Sequence, residues 1–425
     1  MLAAATLTGQ TVAAIHFAGR GPLTVVGAKI QGKGIVCEGW GQAFNGALNV
    51  LDSTLEIDGG TAVSANRPVY LGNAYIRGAT EIVRFSDGPI LAAQGGGWSH
   101  VREYAGAPAG PFPVWLEGKK QTNALADVEI ASVLPTANLQ SRHALPELLA
   151  WNSPGVVNVR TAPYGAQGDN KTDDAPAIQR ALDERGTVFL PKGRYRLGRP
   201  LVLAPGRKLI GAGRAFTVLL PLHGTAAFRD ASAPSPLIDT SDAPEADTAI
   251  ASLQLRAAIP EAYALRWRAG GNSVVRDVNF RCGAAAGTPR SPCVVVEGSG
   301  GGRWFNFFVF DAMPGPDYRH IMVRGTRQPL TFYMFDPEFG RSEVMTEFVD
   351  TRNVTIYALK GETHVIGNPV SSTRPLMRVC DAQGFQGLVM PKLLDRLPLP
   401  SLLPVREKCH PPNCRVADEK SAHSP

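Results

Sequence analysis

Strand-like runs recur along this chain at a steady spacing in the twenties, and that recurrence leaves few folds open. In the first hundred positions, the runs LTVVGAKIQG, ALNVLDSTLEIDGG and PVYLGNAYIRGA begin at Leu23, Ala47 and Pro68. In each, β-branched or large apolar residues alternate with small or polar ones, the period-2 signature of a strand with one buried face. Further runs begin at Leu265, Val294, Ile321 and Glu347, again almost evenly spaced. A second run follows each of them: VVRDVNFR, RWFNFFVFD, LTFYMFD and VTIYALK. One such strand cannot bury its inner face alone, and stacking on the next supplies the core. The chain reads as an all-β solenoid, a parallel β-helix with loops of unequal length.

Composition agrees. Charged residues are 19%, below the usual quarter, while 45 Gly and 34 Pro punctuate the apolar runs. The net charge of +6 comes without any Lys/Arg-rich run, so nucleic acid is not implied. No stretch approaches the length of a membrane span. The start, MLAAATLTGQTVAAIHF, lacks a basic n-region and a clean apolar h-region, so it reads as domain interior rather than signal peptide. No CxxC pair exists among the six cysteines. Cys409 and Cys414 bracket CHPPNC, where either a disulfide or unpaired thiols fit, and too few ligands surround them for zinc. No metal or other cofactor is expected.

The organisation reads as a partial first β-helix block over 1–100, a connection over 101–155, a second β-helix over 156–400, and a polar, disordered tail over 401–425. The connection holds or borders Trp98, Trp115 and Trp151, read as packing at a domain junction. In the second block a helix is placed at about 174–185. Thr172, Asp173 and Asp174 supply oxygens for its free N–H groups, Ile178, Ala181 and Leu182 form its apolar stripe, and Gly186 ends it. Asp169, Asp173 and Asp174 are the most conspicuous acids, and the cap reading assigns them a structural role.

Three elements in order, YGAQGDNKTDDAPAIQRALD, GTVFLPKGRYRL and LIGAG, lie between Val156 and Gly213. This stretch resembles the N-terminal signature of the pectate-lyase-like superfamily. The resemblance implies a right-handed parallel β-helix whose helix caps the N-terminal mouth. The two-block layout is similar to glycoside hydrolase family 55, exo-acting β-1,3-glucanases with two tandem β-helices and an active site in the cleft between them. On FDPEFGRSEVMTEFVDTRNVTIYALKGE that resemblance implies Glu362 as the general acid, with the earlier Glu338 beside it on the stacked coil.

Chemistry supports looking at that pair. Equivalent positions on successive coils lie roughly 4.8 Å apart, and close carboxylates raise each other's affinity for a proton. A glutamate held protonated can donate to a glycosidic oxygen, and inversion needs a water on the far side of the ring. Asp336, His364 and Tyr357 are the candidate substrate-binding residues. The inward aromatics among Tyr333, Phe335, Tyr357, Trp267 and Trp304 read as core ladders, and any facing outward as a sugar platform. The NTD, DD, GHG and RIK elements of polygalacturonases do not occur. The expected function is therefore a polysaccharide-active protein, outside the cell or on its surface, of the inverting β-1,3-glucanase type. A non-catalytic glycan-binding or attachment β-helix is the second reading, and a lyase on an acidic glycan the third.

Overall fold

The computed structural model describes residues 1–39, 46–109, 114–116, 119–121, 123–134, 138–283, 291–310, 318–338, 342, 344–359, 377–380 and 386–389. It is nearly all strand, as the spacing requires. Two compact units divide between Leu145 and Pro146.

In the first unit, parallel strands stack with Leu23 opposite Leu48 and Leu48 opposite Val69. Val25, Val50 and Leu71 from successive coils line the core, with Ile30, Leu55 and Ile76 from the strands that follow. Between these paired strands the chain bends through the left-handed region at one position per coil: Ala4 (φ 51°), Gly27 (62°), Asp52 (49°) and Asn73 (50°). Such values are rare outside Gly, Asn and Asp, so a shared bend fixes the register of every coil. The coil spacing is lost after position 97 because the sheet continues with antiparallel strands. Trp98–Gly106 pairs antiparallel with Val69–Arg77, and Leu125–Ala131 with Trp98–Gly106. Trp98 is buried beneath Arg77, whose guanidinium lies 4.5 Å from its ring centre.

Residues 139–143 cross the bends of this unit. Gln140 Nε2 donates to Ala4 O and Thr6 Oγ1. The buried His143 ring meets Asp52 Oδ2 at 2.9 Å, and Arg142 pairs with the other carboxylate oxygen. Only glycine suits position 27, where a Cβ would lie 2.7 Å from the His143 ring. Burial would raise the Asp52 pKa, but hydrogen bonds from His143 and Asn73 and the Arg142 charge hold it below the usual carboxylate value.

The second unit has one helix among its described residues, Ala175–Glu184, and two long parallel sheets, of twelve and seven strands. Ala175, Ile178, Ala181 and Leu182 are fully buried and join the core of Val188, Leu190 and Leu201. The helix thus covers the first coils. Its Gln179, inside the apolar stripe, accepts the Val202 N–H at 2.8 Å and donates to Val202 O at 3.0 Å. That satisfies the unpaired edge of the strand Leu201–Leu203, an exposed row of backbone groups otherwise.

Capping differs from the sequence reading. Asp174 is the N-cap residue but sends no side-chain bond into the helix. Its carboxylate is 1% exposed and accepts the N–H groups of Gln167 and Gly168 at 2.6 and 3.0 Å, pinning the GAQGD loop. Burial raises its pKa despite those two bonds. Asp173 Oδ1 accepts from Ala175 N at 3.0 Å and from Gly198 N at 2.7 Å, and Thr172 donates to Asp169. Gly186 does not take the left-handed helix-ending conformation, because Arg185 already leaves the helix extended.

The coils run as expected, with Leu265 opposite Val294 and Val294 opposite Ile321. The next coil is slightly shorter than the sequence spacing suggests, since Ile321 pairs with Thr346 rather than with Glu347. Trp267, Trp304, Phe280, Phe307, Phe332 and Phe335 are buried inside. Cys282 and Cys293 form a disulfide across Cα atoms 5.5 Å apart, a pairing their wide sequence context did not reveal. Cys37 is buried and free, whereas Cys409 and Cys414 lie outside the described residues.

Candidate functional site

The twelve-stranded sheet contains the strands Ala249–Arg256, Val274–Arg281, Gly302–Phe310 and Leu330–Glu338. Each bends once through the left-handed region, at Ser252 (φ 55°), Asp277 (55°), Asn306 (50°) and Met334 (59°). Asn306 Nδ2 donates to Asp277 Oδ1 between neighbouring coils. Beyond the bend, residues alternate between buried and half-buried. The strand geometry therefore sends two residues per coil outward.

Register aligns these outward residues into two lanes. The first runs Arg194, Val218, Gln254, Asn279, Phe308, Asp336. Two positions further along each strand, Arg196 stands opposite Leu220, Arg256 opposite Arg281, and Phe310 opposite Glu338. Asp169 and Asp173 stand opposite Arg194 and Arg196 on the preceding coil, so along the solenoid this face changes from mixed acidic and basic, through basic and aromatic, to Asp336. Phe308 and Phe310 stack at 5.3 Å, and Arg281 lies 5.2 Å above the Phe310 ring. Asn279 Oδ1 is buried and has no hydrogen-bond partner among the described residues. Burial and the charges of Arg194 and Arg256 hold the Arg196 guanidinium below its ordinary value.

Of the residues singled out from sequence, Asp336 falls on this face, two positions past the Met334 bend. Glu338 occupies the neighbouring lane by its backbone pairing with Phe310. Tyr357 belongs to the same sheet ahead of the bend, in a lane with Phe305 and Tyr333, and stacks on Tyr333 at 5.3 Å. Trp267, Trp304 and Phe335 are core residues. Asp350 sits at the end of a strand of the other sheet, paired with Arg327 at 2.7 Å. Glu362 and His364 lie outside the described residues. The arginine and phenylalanine lanes were missed from sequence. The signal that finds them is the second and fourth position after each left-handed bend.

The seven-stranded sheet carries a different arrangement. Glu297 receives Arg266 Nε at 2.6 Å and Arg324 Nε at 2.7 Å, and Arg268 reaches Asp239 at 2.8 Å. Burial would raise the Glu297 pKa, but the bonds from Arg324 and Arg266 outweigh it and hold the group below the usual carboxylate value. A cavity of about 480 Å³ opens beside these residues. Its charges are neutralised within the protein. Among the described residues no group of three His, Cys, Asp or Glu is placed to hold a metal ion, and no helix is long and apolar enough to cross a membrane.

Residues 156–312, which hold the basic and aromatic parts of the face, match a family model described as rhamnogalacturonase A/epimerase, pectate lyase-like. This segment is pectate-lyase-like. Two Azotobacter vinelandii proteins are similar to the chain over short stretches. Mannuronan C5-epimerase AlgE3 is 42% identical over 83 residues, 17% of this chain and 4% of the epimerase. Alginate lyase 7 is 38% identical over 73 residues, 14% of this chain and 8% of the lyase. The pre-neck appendage protein of Bacillus phage phi29 is 36% identical over 63 residues, 15% of this chain and 7% of that protein. The chain thus spans less than a tenth of the length of each of these relatives. The pectate-lyase-like fold accounts for the helix, the loop it pins and the stacked coils.

Proposed function

We propose that the second unit binds a polysaccharide along the outward face of its twelve-stranded sheet and cleaves it as a glycoside hydrolase at the acidic end. The carrying observation is the register that aligns basic, aromatic and acidic positions on successive coils of one face. A groove of this kind follows a polymer, because each coil adds an equivalent set of groups. The pectate-lyase-like match and the epimerase and lyase among the relatives support a polysaccharide as ligand. An oxidising setting outside the cell or on its surface suits the Cys282–Cys293 disulfide.

For the chemistry, Phe335 pairs with Leu359 on the next coil. Glu338 stands as far past Phe335 as Glu362 stands past Leu359. This supports the reading in which the two glutamates occupy neighbouring coils, Glu362 as general acid and Glu338 raising its proton affinity, with Asp336, His364 and Tyr357 as substrate contacts. The β-1,3-glucanase type is the hydrolase this pair resembles.

The test is reducing-sugar release from a panel of neutral β-glucans and acidic polymers. Glu362→Gln keeps the shape of the side chain and removes its transferable proton. Turnover on the preferred polymer should fall by about 10²–10⁴, with binding retained. Unchanged turnover in this variant would remove Glu362 from the mechanism. A wild type that binds glycans without releasing any sugar would leave a binding or attachment module.

A further inference from the structure

We propose that the first unit holds a separate site for a small monocarboxylate with an apolar body, in a cavity beside the residues that follow its last antiparallel strand. This unit lies outside the family match, and the site stands independently of the polysaccharide reading.

The cavity measures about 280 Å³. Its polar side comes from successive coils. Lys29 stands opposite Thr54, and Glu56 stands opposite both Gln31 and Arg77. Ile30 and Leu55, between these positions, are fully buried, so strand alternation turns Lys29, Gln31, Thr54 and Glu56 outward. The chain leaves the strand Leu125–Ala131 and passes through Val133 and Leu134, which line the same cavity together with Trp98.

The charges here do not cancel. Arg77 donates to Glu56 Oε1, and Gln31 Nε2 donates to the other carboxylate oxygen at 3.3 Å. The Arg77 guanidinium is held from a second side by the Trp98 ring, 4.5 Å away. The bonds from Arg77 and Gln31 keep the Glu56 pKa below the usual carboxylate value, and the nearby Lys29 charge acts in the same direction. Glu56 is therefore ionised and engaged by Arg77. Lys29 forms no hydrogen bond or ion pair with any described residue. One cation remains in surplus, which calls for one negative charge.

The apolar side sets the rest of the ligand. Val133 is 75% and Leu134 37% exposed, and covering such surface is favourable. A small hydrated anion would leave these side chains wet. A neutral apolar molecule would leave Lys29 without a counter-charge. A ligand that serves both carries a carboxylate toward Lys29 and an apolar body against Val133 and Leu134. At about 30 Å³ per water, the cavity holds roughly nine water volumes, the scale of one aromatic ring with a short acidic arm.

The full chain should be titrated with phenylacetate, its neutral amide phenylacetamide, and acetate, followed by ligand-observed NMR. Phenylacetate should bind saturably, at about 1 mM or tighter. It should bind about fivefold more tightly than the amide, a preference that shrinks with added salt. Acetate, which lacks the apolar body, should bind more weakly than either. Lys29→Gln should abolish the preference for acid over amide, and Val133→Ser should weaken both ligands alike. Arg324→Gln, beside the cavity of the second unit, should change neither. The wild-type comparison of acid, amide and acetate holds even if a variant folds poorly. No saturable binding of phenylacetate, equal binding of acid and amide, or a preference that survives in Lys29→Gln would each overturn the proposal.

Discussion

The two long sheets of the second unit use arginine in opposite ways. On the seven-stranded sheet, Arg266 and Arg324 clamp Glu297, Arg268 holds Asp239 and Arg319 meets Glu347. On the twelve-stranded sheet, Arg194, Arg196 and Arg256 form no ion pair with a described residue. Both sheets expose one face of the same solenoid, built from the same coils. Paired charges spend their attraction within the fold and stabilise it. Arg194 and Arg196 instead hold only neutral oxygens of Asn170 and Pro221. On the proposed reading, the contrast separates a structural face from a working one.

That contrast can be broken most directly at Arg319 and Glu347, whose side chains are 8% and 11% exposed and whose Nε–Oε2 distance is 2.8 Å. Glu347→Ala removes the carboxylate that the buried Arg319 Nε meets and should cost about 3–5 kcal/mol. A joint change to Arg319→Met and Glu347→Leu should recover most of it, as measured by denaturant unfolding. If Glu347→Ala melts like the wild type, the pairing on this face is not structural.

A smaller effect should appear with pH at Glu297. Its folded pKa is lowered, so the unfolded chain binds the proton more readily. The stability from the Arg266–Glu297–Arg324 clamp is present above the usual glutamate pKa of about 4.3 and is lost as pH falls through the lowered folded value. Unfolding curves of the wild type and Glu297→Gln should differ near neutral pH and converge as the solution is made strongly acidic. A constant gap down to the lowest pH would contradict the clamp. The smallest effect belongs to the other sheet. Arg256→Ala should change stability by no more than about 0.5 kcal/mol, and a clear loss would mean that the fold already uses this charge.

Much of this architecture was legible in the sequence, and the reasons are local. The helix announces itself by Ile178, Ala181 and Leu182, and the strands by period-2 alternation around residues such as Trp267 and Phe280. Other features depend on which residues meet across coils. Arg256 and Arg281 are neighbours only because each stands at the same place past a left-handed bend, at Ser252 and Asp277. Their separation in sequence depends on the loop between them, which carries no periodic signal. Gln179 lies inside the apolar stripe, and its partner, Val202, lies far along the chain. Asp174 was read as a cap from its place beside a helix, whereas the GAQGD loop turns its N–H groups toward the same carboxylate and captures it. Of the proposed acids, the sequence offset links Glu338 to Glu362, and the described coils reach only the first.

The recurring bend also acts as a counting mark. Ser252, Asp277, Asn306 and Met334 index the coils, and everything outward is measured from them. A single insertion between the bend and Arg281 would turn Arg281 inward and Phe280 outward, exchanging charge and core at a stroke. A whole coil inserted with its own bend would disturb neither. It would lengthen the face by about 4.8 Å, room for roughly one more sugar. On the proposed polysaccharide reading, the length of polymer engaged is thus set in whole coils, and size can change by duplication without any redesign of the repeating parts.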